Sequence, residues 1–266
     1  MRISFTRLGL FLMVSVAGAA GSDTPAMSAR DLAGRLSSVE EGTSYVRLSM
    51  EIKDSAGATK SVLQLQIKQR RTNAGIDLVY QVLWPKERRG EAVLLHKSAG
   101  SAASGSLFLP PNKPRPLSAS QINDSLFGSD LSYQDVVENF FAWENQALAG
   151  TETVNRVNCL ILESKPGEGE HSIYARVRSW IDARRLVPLR VEKYLSSGRL
   201  ARRIDTTRVA NDDEGRPIPA NLTVRSGRDS MTELDGSRIK HDVTYSDSDF
   251  TPEGMTELSS PRPRAQ

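Results

Sequence analysis

The chain has 266 residues, 38% hydrophobic and 25% charged, a balance that excludes a collagen-like or wholly disordered polypeptide. Its 35 Lys and Arg against 32 Asp and Glu give a formal net charge of +3, too small an excess to point to nucleic acid. A single Cys excludes an intramolecular disulfide framework and a cysteine-built metal site.

Residues 1–20 read as a secretory signal peptide. Arg2 and Arg7 supply the positive end, residues 8–16 the short apolar stretch, and Ala17-Gly18-Ala19 the small-residue cleavage pattern. That stretch is shorter than the roughly 20 apolar residues of a spanning helix, and no later stretch approaches that length. The expectation is export to the periplasm as one domain, residues 21–258, with residues 259–266 as a disordered tail.

Ser28 caps a short helical pattern with Asp31 at its third position and Leu32, Leu36 and Val39 on one stripe. The period then changes to two. Over 44–53, Val46, Leu48, Met50 and Ile52 face one way; after a turn at 54–59, Leu63, Leu65 and Ile67 repeat the alternation, predicting an antiparallel pair. Ile76, Leu78, Tyr80, Val82 and Trp84 continue it until Pro85, and residues 91–97 and 105–109 predict two more short strands. Residues 110–116 read as an extended loop. Residues 132–143 predict a second helix, with Ser132 as cap, Asp135 at the third helical position, and Val136, Val137, Phe140, Phe141 and Trp143 as its apolar content. Strands are then predicted over 153–164, 172–181, 187–195, 199–209, 218–224 and 238–246.

This pattern has no βαβ rhythm. It implies a mainly β fold: one strongly curved antiparallel sheet of about ten strands, an unclosed barrel plugged by two or three short helices. Two short helices are little cover for so wide an apolar face, so a cavity lined with aliphatic groups is expected.

The sequence offers little catalytic chemistry. His96, His171 and His241 fit no metal-ligand spacing, and no nucleophile elbow, phosphate-binding loop or dinucleotide fingerprint occurs. The reading is therefore a protein that is not an enzyme and takes no metal or cofactor. Cys159, in an alternating apolar strand, reads as a buried small hydrophobe. Arginine pairs at 70–71, 88–89, 184–185 and 202–203 could suggest phosphate binding, but they are spread among acids and fit a solvated sheet face better.

Three segments together resemble the LolA-like family of outer-membrane lipoprotein-sorting proteins. The first is residues 83–94, where Pro85 and Gly90 form a turn leading into a strand. The second joins Phe108-Leu109-Pro110 to Phe127-Gly128-Ser129-Asp130-Leu131-Ser132-Tyr133-Gln134-Asp135-Val136, which is similar to the family's Gly-Ser-Asp-Phe-Ser-Tyr-Glu-Asp-Leu signature, with Leu131 in place of Phe and Gln134 in place of Glu. The third is the strand–turn–strand pattern of residues 177–200.

The resemblance implies a half-barrel carrier that binds lipid or lipoprotein acyl chains. It takes them from an inner-membrane transporter and hands them to an outer-membrane acceptor, with transient contact at the membrane surface and none with nucleic acid. The expected cavity residues are Leu48, Met50, Leu63, Leu65, Leu78, Tyr80 and Val82, with Phe140, Phe141 and Trp143 as lid or plug. The alternative is a periplasmic sensor or interaction module that binds an envelope protein.

Overall fold

The structure, a computed structural model, describes residues 27–39, 41–227 and 230–258; the expected signal segment 1–20 and tail 259–266 lie outside the described residues. Helix α1 (Ala29–Val39) starts where Ser28 Oγ accepts the Asp31 backbone N–H at 3.1 Å, and it buries Leu32, Ala33 and Leu36.

The strands are β1 (Gly42–Asp54), β2 (Thr59–Thr72), β3 (Gly75–Trp84), β4 (Ala92–Ser98), β5 (Ser104–Phe108), β6 (Arg115–Pro116), β7 (Asn145–Val154), β8 (Val157–Lys165), β9 (Tyr174–Asp182), β10 (Val187–Leu195), β11 (Leu200–Asn211), β12 (Pro217–Arg225) and β13 (Ser230–His241). They form one 13-stranded sheet in the order β6-β5-β4-β3-β2-β1-β13-β12-β11-β10-β9-β8-β7. Pairing is antiparallel throughout, so the mainly β, unclosed sheet expected from the alternation is what the chain builds.

The two open edges, β6 and β7, are consecutive in sequence. The chain between them, residues 117–144, therefore has to cross from one edge of the sheet to the other. It does so over the inner face, carrying helix α2 (Tyr133–Val137) and three short 3-10 turns. Ile122, Leu126, Phe127, Leu131, Tyr133 and Val137 from this crossing segment join Met50, Leu63, Leu65, Leu78, Val82, Val93 and Leu95 in the largest buried cluster. The outer face of β3 and β4 is covered separately. Phe250 and Met255 of the C-terminal segment pack there on Val79, Ala92 and Leu94.

The structure corrects three expectations. Residues 132–143 do not form one helix: α2 ends at Val137, Glu138 is extended, and Phe140–Ala142 form a separate 3-10 turn. A straight helix could not serve both neighbours, since Val137 packs on the sheet cluster while Phe141 packs against α1. The run 153–164 is broken by a turn at Asn155 and Arg156, whose φ values of 49° and 66° are both left-handed. Ahead of it lies β7, whose exposed sequence has no apolar alternation to announce it. The last strand is β13 (Ser230–His241), not 238–246: Val243 and Tyr245 leave the sheet, and Tyr245 donates to the Ser44 carbonyl at 2.8 Å.

Candidate functional site

The inner face of β1–β4 is a ladder of apolar pairs: Leu48 opposite Leu65, Met50 opposite Leu63, Leu65 opposite Val82, Leu78 opposite Leu95, and Tyr80 opposite Val93. Met50, Leu63, Leu65, Leu78 and Val82 are each no more than 1% exposed, and half-buried Leu48 and Tyr80 pack on the same cluster. The structure thus brings seven of the ten expected cavity residues together. The space above them is not vacant, however, because Leu126, Phe127, Leu131 and Val137 fill it.

The three aromatic residues expected as lid or plug lie elsewhere. Phe141 packs with α1, Leu162 and Ile181; Trp143 packs with Tyr174, Val177 and Val191; Phe140 touches both groups. A cavity of about 230 Å³ opens beside Trp143, lined also by Arg71, Ile76, Lys97, Val137 and Asn139.

What the sequence reading missed is how the crossing segment is held. Asp130 accepts hydrogen bonds from Ser226 Oγ (2.5 Å), Ser230 Oγ (2.8 Å) and Thr232 Oγ1 (2.9 Å), and its own N–H donates to Thr232 at 2.9 Å. Asp135, with a fully buried side chain, meets Lys193 Nζ and Arg202 Nε, each at 2.9 Å, and accepts from Tyr174 OH at 2.6 Å. It also completes the capping box with Ser132. Glu138, equally buried, meets Lys97 Nζ at 2.7 Å and accepts from Ser172 Oγ at 2.9 Å. Lys97 in turn bridges to Glu170 at 2.5 Å.

The electrostatics follow from this geometry. Burial alone would raise the Asp135 carboxyl, but the charges of Lys193 and Arg202, with hydrogen bonds from Tyr174 and Ser132, hold it well below the usual carboxylate range. Burial, and then the Asp135 charge, push the Tyr174 hydroxyl far up, so it stays a donor. For Lys97, burial works against the ammonium and is outweighed by Glu138 and Glu170, which raise it. Asp135 is thus held in its charged, hydrogen-bonded role, which suits an anchor better than a proton-transfer group.

Residues 117–128 differ from residues 130–138. Among the described residues, no buried ion pair ties the earlier stretch to the sheet. Phe127 and Gly128 are both left-handed, at φ 52° and 89°, reversing the chain so that Phe127 sits under the Arg88 guanidinium at 5.9 Å, with its carbonyl accepting from Arg88 Nη1 at 3.4 Å.

One cluster could be considered for a metal. Asp212, Asp213 and His241 offer ligand atoms within 4.8 Å of one another. Arg216 Nε already lies 2.9 Å from Asp212 Oδ2, with His241 Nε2 at 3.1 Å, so that carboxylate is balanced by the chain itself.

A family model described as "Uncharacterized protein" matches residues 77–257, and the chain belongs to that family. No curated protein matches the sequence. Among solved structures, a DUF1329 family protein from Desulfovibrio piger superposes with a TM-score of 0.78 at 24% identity, covering 85% of this chain and 97% of that one. An outer membrane lipoprotein-sorting protein domain from Vibrio parahaemolyticus gives 0.76 at 19%, covering 86% and 98%. A LolA superfamily protein from Nitrosomonas europaea gives 0.68 at 19%, covering 85% and 98%. The fold is LolA-like.

Proposed function

We propose that the protein is a periplasmic carrier that binds acyl chains of lipids or lipoproteins between the inner face of β1–β4 and residues 117–128, and moves them toward the outer membrane. One observation carries this reading. A continuous apolar face is covered not by a second sheet but by one crossing segment, whose first half packs on it through apolar side chains with no buried ion pair to the sheet among the described residues.

The magnitudes favour exchange. Burying a chain of about 16 carbons gains on the order of 10 kcal/mol before costs, at roughly 0.8 kcal/mol per methylene. Lifting Leu126 and Phe127 gives back about 1.5–3 kcal/mol each. The acyl chain therefore replaces the segment with energy to spare, and the segment's return helps expel the cargo, as a carrier requires. Apolar exchange needs no catalytic group, and the anchors at Asp130, Asp135 and Glu138 keep the displaced segment in register. The lipoprotein-sorting description of the Vibrio structure supports the same reading.

Protein isolated from its native periplasm and extracted into organic solvent is expected to release a stoichiometric acyl lipid by mass spectrometry. The delipidated protein should bind the fluorescent fatty acid cis-parinaric acid, and Leu126→Ala with Phe127→Ala should tighten that binding several-fold. Absence of both the lipid and the probe signal overturns the carrier reading.

A specific feature favours the second reading, a module that binds an envelope protein. Strand β7 is a sheet edge whose residues 147–153 are all exposed, a form open to strand addition. A sensor would retain a protein partner after delipidation, whereas a carrier would not.

A further inference from the structure

Two hairpin turns stand side by side at one end of the β7–β10 wall. One is Asn155-Arg156, between β7 and β8; the other follows Asp182, between β9 and β10; the strands joining them pair directly, with Leu160 opposite Ile181. Between the turns lies an open pocket of about 630 Å³, lined by Arg156, Arg184 and Arg185, with Val157, Cys159 and Leu160 supplying its less polar side.

Asp182 is the one carboxylate among the lining residues. It is already occupied: Arg185 Nε lies at 2.5 Å, and the backbone N–H groups of Arg184 and Arg185 donate to it at 3.0 and 3.3 Å. Among the described residues, no carboxylate lies within ion-pair distance of the Arg156 or Arg184 guanidinium. In each doubled arginine at least one member meets an acid: Arg70 meets Asp77 and Asp247, Arg88 meets Glu91, Arg202 meets Asp135, and here Arg185 meets Asp182, which leaves Arg184 to the pocket.

The backbone adds an independent observation. With φ of 49° and 66°, Asn155 and Arg156 both sit in the left-handed region. Glycine is the usual occupant of the second position of such a turn, because a side chain there costs on the order of 1 kcal/mol. Here the position holds an exposed arginine with no ion-pair partner, a placement that stability does not explain.

We propose that this pocket binds a phosphate group. A guanidinium fork matches two phosphate oxygens, and two turns braced by directly paired strands hold the forks in fixed relation. Val157 offers apolar surface to whatever the phosphate is attached to. A phospholipid headgroup and free phosphate share this chemistry. The site needs only the two turns and stands apart from the acyl-chain reading; if the source is a headgroup, it adds a polar holding point to that reading.

The test is calorimetric titration of the full exported chain with inorganic phosphate and with water-soluble dihexanoyl phosphatidic acid. Wild type is compared with Arg156→Ala/Arg184→Ala and with Arg199→Ala, an exposed arginine on a different connection. Wild type should bind both probes, the double variant should lose about tenfold per arginine removed, and Arg199→Ala should match wild type. Tighter binding of phosphatidic acid than phosphate identifies a headgroup site, and equal binding a free-phosphate site. No binding at millimolar probe, an unaffected double variant, or an equal loss in Arg199→Ala overturns the proposal. The double variant should keep the wild-type melting temperature and its cis-parinaric acid binding, so failure here leaves the carrier reading to be judged separately.

Discussion

The crossing segment meets two walls of one sheet and is held to them by largely different means. Against β1–β4 it lays down Leu126, Phe127, Leu131 and Val137 on aliphatic side chains, with the buried Glu138–Lys97 pair on β4 as an ionic exception at its far end. Against β9–β11 it sets Asp135 between Lys193, Arg202 and Tyr174. Apolar contact is strong in sum but indifferent to partner, so a hydrocarbon chain can substitute for it. A buried ion pair tolerates no substitute, because a missing partner leaves an uncompensated charge. One wall therefore suits exchange, and the other fixes position.

The most direct way to break this comparison is to remove the fixing charge. Asp135→Ala leaves Lys193, 1% exposed, without its carboxylate. The expected loss is about 3–5 kcal/mol in urea unfolding; a loss below about 1 kcal/mol would mean that the ionic wall is not an anchor. On the apolar wall, Leu65→Ala should cost about 2–5 kcal/mol through the cavity it opens, and should enlarge the space available to cis-parinaric acid. If its binding of that probe weakens instead, the two walls have been assigned the wrong roles.

Acid separates the walls more gently. The folded Asp135 carboxyl lies below its unfolded value of about 3.9, so its stabilisation is full above about pH 5 and is lost as pH falls through 4 toward the folded value. Urea midpoints should therefore drop more steeply between pH 5 and 3 in wild type than in Asp135→Asn. Parallel curves would place the acid sensitivity in other carboxylates such as Asp205 or Asp212, which are also held low by arginines. The smallest expected effect is at the helix start. Ser132→Ala removes the cap of α2 and should cost about 1 kcal/mol while leaving probe binding unchanged.

Much of this architecture was legible in the period-two alternation, because a strand with one buried face must alternate. The positions Leu48, Met50, Leu63, Leu65, Leu78, Tyr80 and Val82 share a face for that reason alone. The alternation is silent where a strand buries neither face, which is why β7 was missed. Nor could it show that the segment after β6 descends onto the sheet, since Phe140, Phe141 and Trp143 made a more apolar stretch than Leu126 and Phe127.

The anchors had a signal that went unread. Lys193 stands in phase with Val191 and Leu195, and Lys97 in phase with Val93 and Leu95. A cation in the apolar phase of a strand must meet a buried anion; here the anions are Asp135 and Glu138, both within the segment 132–143 that the pattern predicts as one helix. Their pairing across 58 and 41 positions is set by the crossing of the segment, which no local pattern encodes.

The order of strands has a kinetic consequence. Every pairing but one joins neighbours in the chain; the exception is the seam between β1 and β13, which brings Ser44 to His241 and Asp54 to Ser230. Two meanders can thus assemble from short-range hairpins, and the entropy of closing a long loop falls on that single seam. Substitutions at Met50 or Leu234, which face each other across it, should slow refolding, whereas equal destabilisation within β9 and β10 should mainly hasten unfolding.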